Sequence, residues 1–266
     1  MPSVIANGIS IYFEQQGDGP PLLLFNGSGA TLAASGFLVD VFAQRCAVTV
    51  HDQRGLGATD IPEGPYSMGD YAQDADALLT VIGLETCAVA GISFGGMVAQ
   101  EFAIRFPHRV ERLALICTSA GGDGGASYPL HDLAGMPAED RAALAMQLLD
   151  TRFCGEWLAN HPSDRYLVKT MADRALVDKS ADQVRGEYEQ LQARKHHNVY
   201  NRLSSISIPT LIAAGRFDGI APPANAQAIA GQIPNAELKV YEGGHAFFAQ
   251  DPAAFTDILN FLDPEA

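Results

Sequence analysis

Residues 87–97 read Cys87-Ala88-Val89-Ala90-Gly91-Ile92-Ser93-Phe94-Gly95-Gly96-Met97, and the turn this stretch must make decides the fold. Cys87 to Ala90 is a short apolar run of buried-strand type, and Phe94 to Phe106 carries apolar residues at helical spacing. Between them stands Gly91-Ile92-Ser93-Phe94-Gly95, a G-x-S-x-G sequence. A strand that passes into a helix through one serine forces that serine into a sharp, strained turn. Glycine at 91 and 95 removes the Cβ atoms that would hold strand and helix apart. The turn presents the Ser93 hydroxyl at the top of a sheet and aims the Phe94 N–H, at a helix N-terminus, toward any anion that forms there. The same five letters also fit an ordinary glycine-rich loop, so the flanking strand and helix carry the reading.

A neutral serine hydroxyl is a poor nucleophile and needs a histidine base with a carboxylate to orient it. Downstream, Asp218 ends Ala213-Ala214-Gly215-Arg216-Phe217-Asp218, just past a strand, and His245 lies in Gly243-Gly244-His245-Ala246-Phe247, past the last strand. The order Ser, Asp, His is thus available. Among the other histidines, His108, His131, His161, His196 and His197 occupy helical or polar surroundings and are expected at the surface, while His51 falls inside a strand end. The histidines lack ligand spacing such as H-E-x-x-H, so neither a metal nor any other cofactor is expected.

Outward from the serine turn, short β-type runs alternate with helical patterns, which predicts a mostly parallel sheet covered on both faces. Strands are expected at 9–14, 22–25, 47–51, 87–90, 113–117, 210–214 and 238–241, and helices at 71–82, 94–106, 225–230 and 255–261. Asp251 and Pro252 form a start signal for the last helix. After Cys117 the rhythm breaks at Gly121, Gly122, Gly124 and Gly125. The strand-poor stretch that follows reads as a helical cap, residues 121–205, inserted into a sheet domain made of residues 1–120 and 206–266.

The chain has 266 residues, 47% of them hydrophobic, enough to bury one full core. Its formal charge of −14 opposes nucleic acid and anionic membrane surfaces, leaving a small molecule as the expected partner. Residues 121–205 hold 10 basic and 12 acidic side chains, so most of the acidity belongs to the sheet domain. No stretch approaches the ~20 apolar residues of a membrane span, the N-terminus lacks a secretory pattern, and a cytoplasmic location is expected. Cys46, Cys87, Cys117 and Cys154 show no CxxC spacing and are expected to be reduced.

Taken together, Phe25-Asn26-Gly27-Ser28-Gly29, His51-Asp52-Gln53-Arg54-Gly55-Leu56-Gly57, the serine turn and the Asp218 and His245 loops resemble the α/β-hydrolase superfamily over nearly the whole chain. The resemblance implies Ser93 as nucleophile, His245 as base, Asp218 as its orienting acid, and the N–H groups of Phe94 and Ser28 as an oxyanion hole. It departs from the family's usual His-Gly pair by placing Asn26 before Gly27. In such enzymes the loop of Asp52, Arg54 and Asp60 is mostly structural, with Arg54 pairing to a carboxylate or backbone, and the Ser28 hydroxyl caps a turn or serves the site. Ile92-Ser93-Phe94-Gly95-Gly96-Met97 and Arg152-Phe153-Cys154-Gly155-Glu156-Trp157-Leu158 look like 3-oxoadipate enol-lactonases and neighbouring esterases. Asn26, Phe153 and Trp157 are the candidate pocket residues, although those lactonases often place a tryptophan about where Phe153 stands and Trp157 suits a packing anchor better than a pocket wall.

The activity so implied is acyl transfer from an ester or lactone to water. Carbon–carbon bond hydrolysis of a β-diketone or ring-fission product, perhydrolysis, and a non-catalytic receptor on the same fold are the alternatives. Activity is expected to fall as pH drops through roughly 6 to 7, where His245 protonates. The net negative field predicts faster turnover of neutral substrates than of their carboxylate analogues.

Overall fold

The computed structural model describes residues 2–175 and 179–265. Chain order is β1 (Ser3–Ala6), β2 (Ile9–Gln16), β3 (Pro21–Phe25), α1 (Leu32–Phe42), β4 (Ala47–His51), α2 (Met68–Val81), β5 (Cys87–Ile92), α3 (Phe94–Arg105) and β6 (Val110–Ile116). A helical run follows: α4 (Ala138–Leu149), α5 (Gly155–Asn160), α6 (Pro162–Ala175) and α7 (Ala181–Lys195). The chain then returns to the sheet with β7 (Thr210–Gly215), α8 (Pro223–Gln232), β8 (Ala236–Tyr241) and α9 (Pro252–Leu262). All seven expected strands and four expected helices form, with ends moved by at most three residues.

The strands make one sheet in the order β1-β2-β4-β3-β5-β6-β7-β8, antiparallel at β1/β2 and β2/β4 and parallel elsewhere. Alternate residues of a strand face opposite sides, so each strand feeds two cores. Leu23, Val89, Leu113 and Ile212 meet Tyr71 of α2, Phe102 of α3 and Ile229 of α8. Leu22, Leu24, Val48 and Ala88 meet Phe42 of α1 and Ile258 of α9 on the other side. Truncating any of the fully buried leucines to alanine costs about 2–5 kcal/mol at such sites.

Two elements escaped the sequence reading. β1 is only four residues long, and α1 contains Gly36 and has no side-chain hydrogen bond at its N-cap Thr31. Burial of Leu32, Val39 and Phe42 under the sheet holds α1 where local propensity does not. By contrast α9 begins as its start signal predicts, with Asp251 accepting the Ala253 N–H at 3.0 Å. Among the described residues no helix is long and apolar enough to cross a membrane. Cys46, Cys87 and Cys117 are buried free thiols, whereas Cys154 is exposed.

Strand order also creates the site. The chain leaves β3 toward β4 on one side, and β5 lies on the other, with Phe25 level with Gly91. A crevice opens where the direction of strand addition reverses. The loops after β3 and β5, carrying Ser28 and Ser93, meet there.

Candidate active site

Ser93 sits between β5 and α3 with φ 56° and ψ −114°, a conformation L residues rarely adopt. The strain is held from both sides. The Ser93 N–H donates to Ile116 O at 2.8 Å, and its carbonyl accepts from Thr118 Oγ1 at 2.8 Å and Gly96 N at 2.9 Å. A Cβ on Gly95 would overlap the Phe25 carbonyl, and one on Gly91 would overlap the Gly95 carbonyl, so only glycine permits this crossing.

Asp218, past β7, and His245, past β8, close on the serine. His245 Nε2 lies 2.9 Å from Ser93 Oγ, and Nδ1 lies 2.8 Å from Asp218 Oδ2. The other carboxylate oxygen, Oδ1, accepts the Ile220 and Ala221 N–H groups, each at 2.8 Å. The acid is therefore fixed before it meets the ring. Burial alone disfavours the His245 cation, but the adjacent Cys117 sulfur and the Asp218 carboxylate outweigh it and hold its pKa well above the ordinary 6.5.

Beside Ser93, Gly27 packs so that a Cβ there would stand 3.7 Å from the serine Cβ. The next residue is Ser28. Neither the Ser28 nor the Phe94 N–H reaches a protein acceptor among the described residues, and both flank the serine. Asn26 is buried, its carbonyl accepting from Gln53 Nε2 at 2.9 Å, while both polar atoms of its side chain and the Ser28 hydroxyl have no partner. The turn-cap role considered for the Ser28 hydroxyl is thus absent.

The neighbouring charged loop is a brace. Asp52 accepts the Leu32 N–H at 2.7 Å and the Ala58 N–H at 2.8 Å, and Asp60 accepts the Ser10 N–H at 2.8 Å. Arg54 grips Asp74 with Nε and Nη2 at 2.6 and 2.7 Å.

Phe153 is fully buried against Leu149 and Ala246, with Trp157 at the edge of the same cluster. Trp157 stacks on His161 at 3.8 Å, lies under the Arg152 guanidinium at 4.6 Å, and donates from Nε1 to Asp164 at 2.8 Å. This packing steadies the histidine loop. Leu149 O accepts the His245 N–H at 2.6 Å, and Gln250 links Gly244 N to Asp150 and Asp164. No local pattern marks Gln250 and Asp150 as partners of each other, because 100 residues of sequence separate them.

A cavity of about 260 Å³ lies between the helical run and the sheet, lined by Met97, Ser119, Ser127, His131, Arg194 and His197 among others. Met97 is one helical turn from Ser93, and Ser119 follows the Thr118 that braces it. Phe153 and Trp157 do not line this space. The surface placement expected for His197 is incorrect: the chain folds inward after α7, and the His197 N–H bonds to Arg194 O. Burial lowers its pKa to about 4 and keeps the ring neutral. Among the described residues no three His, Cys, Asp or Glu side chains converge as metal ligands.

Comparison with known proteins agrees with this architecture. The family model described as alpha/beta hydrolase fold matches residues 20–252. The chain is 29% identical over 253 residues to the poly(3-hydroxyalkanoate) depolymerase of Ectopseudomonas oleovorans, covering 92% of this chain and 85% of the relative. It is 27% identical over 241 residues to 3-oxoadipate enol-lactonase 2 of Acinetobacter baylyi, covering 90% and 87%. Among solved structures, Est816, an N-acyl homoserine lactone degrading enzyme, superimposes with a TM-score of 0.77 at 27% identity, covering 97% of this chain and 99% of the other.

Proposed function

Because the chain belongs to the α/β-hydrolase fold family, we propose that it is a serine hydrolase that opens a carboxylic ester or lactone of small to medium size through an acyl-serine. The observation that carries this reading is the hydrogen-bonded chain Ser93 Oγ, His245, Asp218, with two unclaimed N–H groups flanking the serine. His245 Nε2 takes the hydroxyl proton as Oγ attacks the carbonyl carbon. The Ser28 and Phe94 N–H groups hold the oxygen that becomes negative. The protonated ring then gives its proton to the leaving alkoxide, and water repeats the sequence to release the acid.

Residues 121–205 act in this scheme as a lid over the crevice. Supporting that role, Gln190 of α7 and Leu149 of α4 both bond directly to site loops. Ester or lactone chemistry is favoured because two of the relatives act on lactones.

The test is a panel of esters and lactones with wild type and Ser93→Ala, alongside an organophosphonate label. Turnover should fall by a factor on the order of 10⁶ in the variant, if the three groups act as a unit. Label should appear on Ser93 alone. Labelling elsewhere, or turnover that survives the substitution, refutes the assignment.

A further inference from the structure

Among the described residues, Arg194 is a buried cation without an acidic partner. It stands in the last turn of α7 and is only 6% exposed. Its Nη1 donates to the Tyr128 carbonyl at 2.8 Å, while Nε and Nη2 have no partner. Burial lowers its pKa to about 10, so it remains charged at neutral pH. The carbonyls at the end of α7 attract a cation there, but they leave the two free donors unmet. Buried charges are otherwise paired in proteins, because losing hydration without a partner is costly.

The unmet atoms form one edge of the guanidinium. Elsewhere in this chain the same edge grips carboxylates: Arg54 holds Asp74, and Arg152 holds Asp150, each through Nε and Nη2. Planar bidentate pairing of this kind matches carboxylates and phosphates, and within this chain it is made with carboxylates. Arg194 lines the cavity beside the nucleophile turn, and its unpartnered edge is buried behind that lining. Among the described residues no Asp or Glu lines this cavity; Lys195, His131 and the buried His197 do. Glu101, the carboxylate whose field reaches His197, is itself claimed by Arg105 and Arg202. His131 pairs through Nε2 with Asp132 at the cavity margin, leaving Nδ1 without a partner.

We infer that the free edge of Arg194 binds a carboxylate group of the substrate, placing an acyl or lactone carbonyl of the same molecule at Ser93. Gln190, one turn earlier on α7, accepts the Gly29 N–H of the loop that carries Ser28. Arg194 is therefore set about 6 Å further along the helix from that contact. Met97, Ala126 and Pro129 supply apolar walls for the carbon skeleton that joins the two groups. The inference reverses the order expected from net charge, because a local unpaired cation at contact distance outweighs a screened field from a distant surface. It rests on the reading of Ser93 only for the identity of the carbonyl.

Binding is measured by calorimetry on Ser93→Ala protein, so no hydrolysis intervenes, with hexanoate, hexanamide and inorganic phosphate as probes. Hexanoate should bind at least about tenfold more tightly than hexanamide, as expected for a charge-assisted bidentate pair. Adding Arg194→Met should remove that preference and leave hexanamide unchanged. Arg194→Gln, which retains a donor for the Tyr128 carbonyl, should do the same if the methionine variant folds poorly. Equal binding of the two organic probes, or a preference that survives both substitutions, overturns the inference. Phosphate binding tighter than hexanoate also overturns it, by showing a tetrahedral-anion site. A protein that binds hexanoate through Arg194 yet hydrolyses no ester would leave this site standing and refute the nucleophile instead.

Discussion

Gln190 Oε1 accepts the Gly29 N–H at 2.7 Å, joining the middle of α7 to the loop that carries the Ser28 N–H. Both residues are remote in sequence, and Gln190 is only 1% exposed. Replacing it with leucine removes this bond and frees the loop, costing about 0.5–1.5 kcal/mol locally. If the loop forms half of the oxyanion hole, kcat should fall on the order of tenfold or more while KM changes little, because the lost positioning acts in the transition state. A loss of stability with kcat intact at equal folded fraction would confine Gln190 to a structural role.

Two buried aspartates separate chemistry from folding. Asp218→Asn should lower turnover by roughly 10⁴, since the amide leaves His245 in the wrong tautomer. The Asp52 carboxylate accepts the Leu32 and Ala58 N–H groups and, among the described residues, makes no hydrogen bond to Ser93 or His245, so Asp52→Asn should lower the denaturation midpoint and spare kcat in the folded fraction. The reverse pattern would mean that the wrong carboxylate has been assigned.

The acid limb of activity follows His245. Its raised pKa moves this limb above the range of about 6 to 7 that an ordinary imidazole predicts, because only the neutral ring accepts the serine proton. Stability runs the other way. The cation paired with Asp218 contributes fully below the unfolded value near 6.5, and that contribution is lost as pH rises through the higher folded value. The pH profile of kcat/KM should therefore rise across the interval in which the urea midpoint declines, and His245→Gln should flatten the latter. A kcat/KM limb at or below about 6.5 would contradict the arrangement.

His51 predicts acid sensitivity. Burial against Phe25 lowers its pKa to about 4, so the unfolded chain takes up a proton near 6.5 that the folded chain refuses until about 4. Stability is lost across that window as pH falls, by about 2 kcal/mol at pH 5 for this group. Urea titrations at pH 7 and pH 5 should show that loss shrinking by a similar amount in His51→Gln. An unchanged loss would place the acid sensitivity in other groups.

Local chemistry was enough to read seven of the eight strands, the serine turn and the α9 start. Leu22 to Phe25, Ala47 to His51 and Cys87 to Ala90 are short, mostly apolar runs of buried-strand type, and a serine between glycines at a strand-to-helix junction takes a strained turn. Asp218 and His245 were legible because each follows a strand, so strand order alone brings them to one rim. What escaped depends on partners far away in sequence. α1 has no local cap and exists because the sheet buries Phe42. Gln190, Gln250 and Asp150 are ordinary polar residues in the sequence, and only the packing of the helical run on the site loops makes them braces. Arg194 and His197 look like solvated residues at a helix end. Their burial, and the absence of any acid at the free edge of Arg194, arise from how the chain closes over the cavity after α7, since spacing within a sequence encodes which face of an element is apolar but not which charges that closure leaves without a partner.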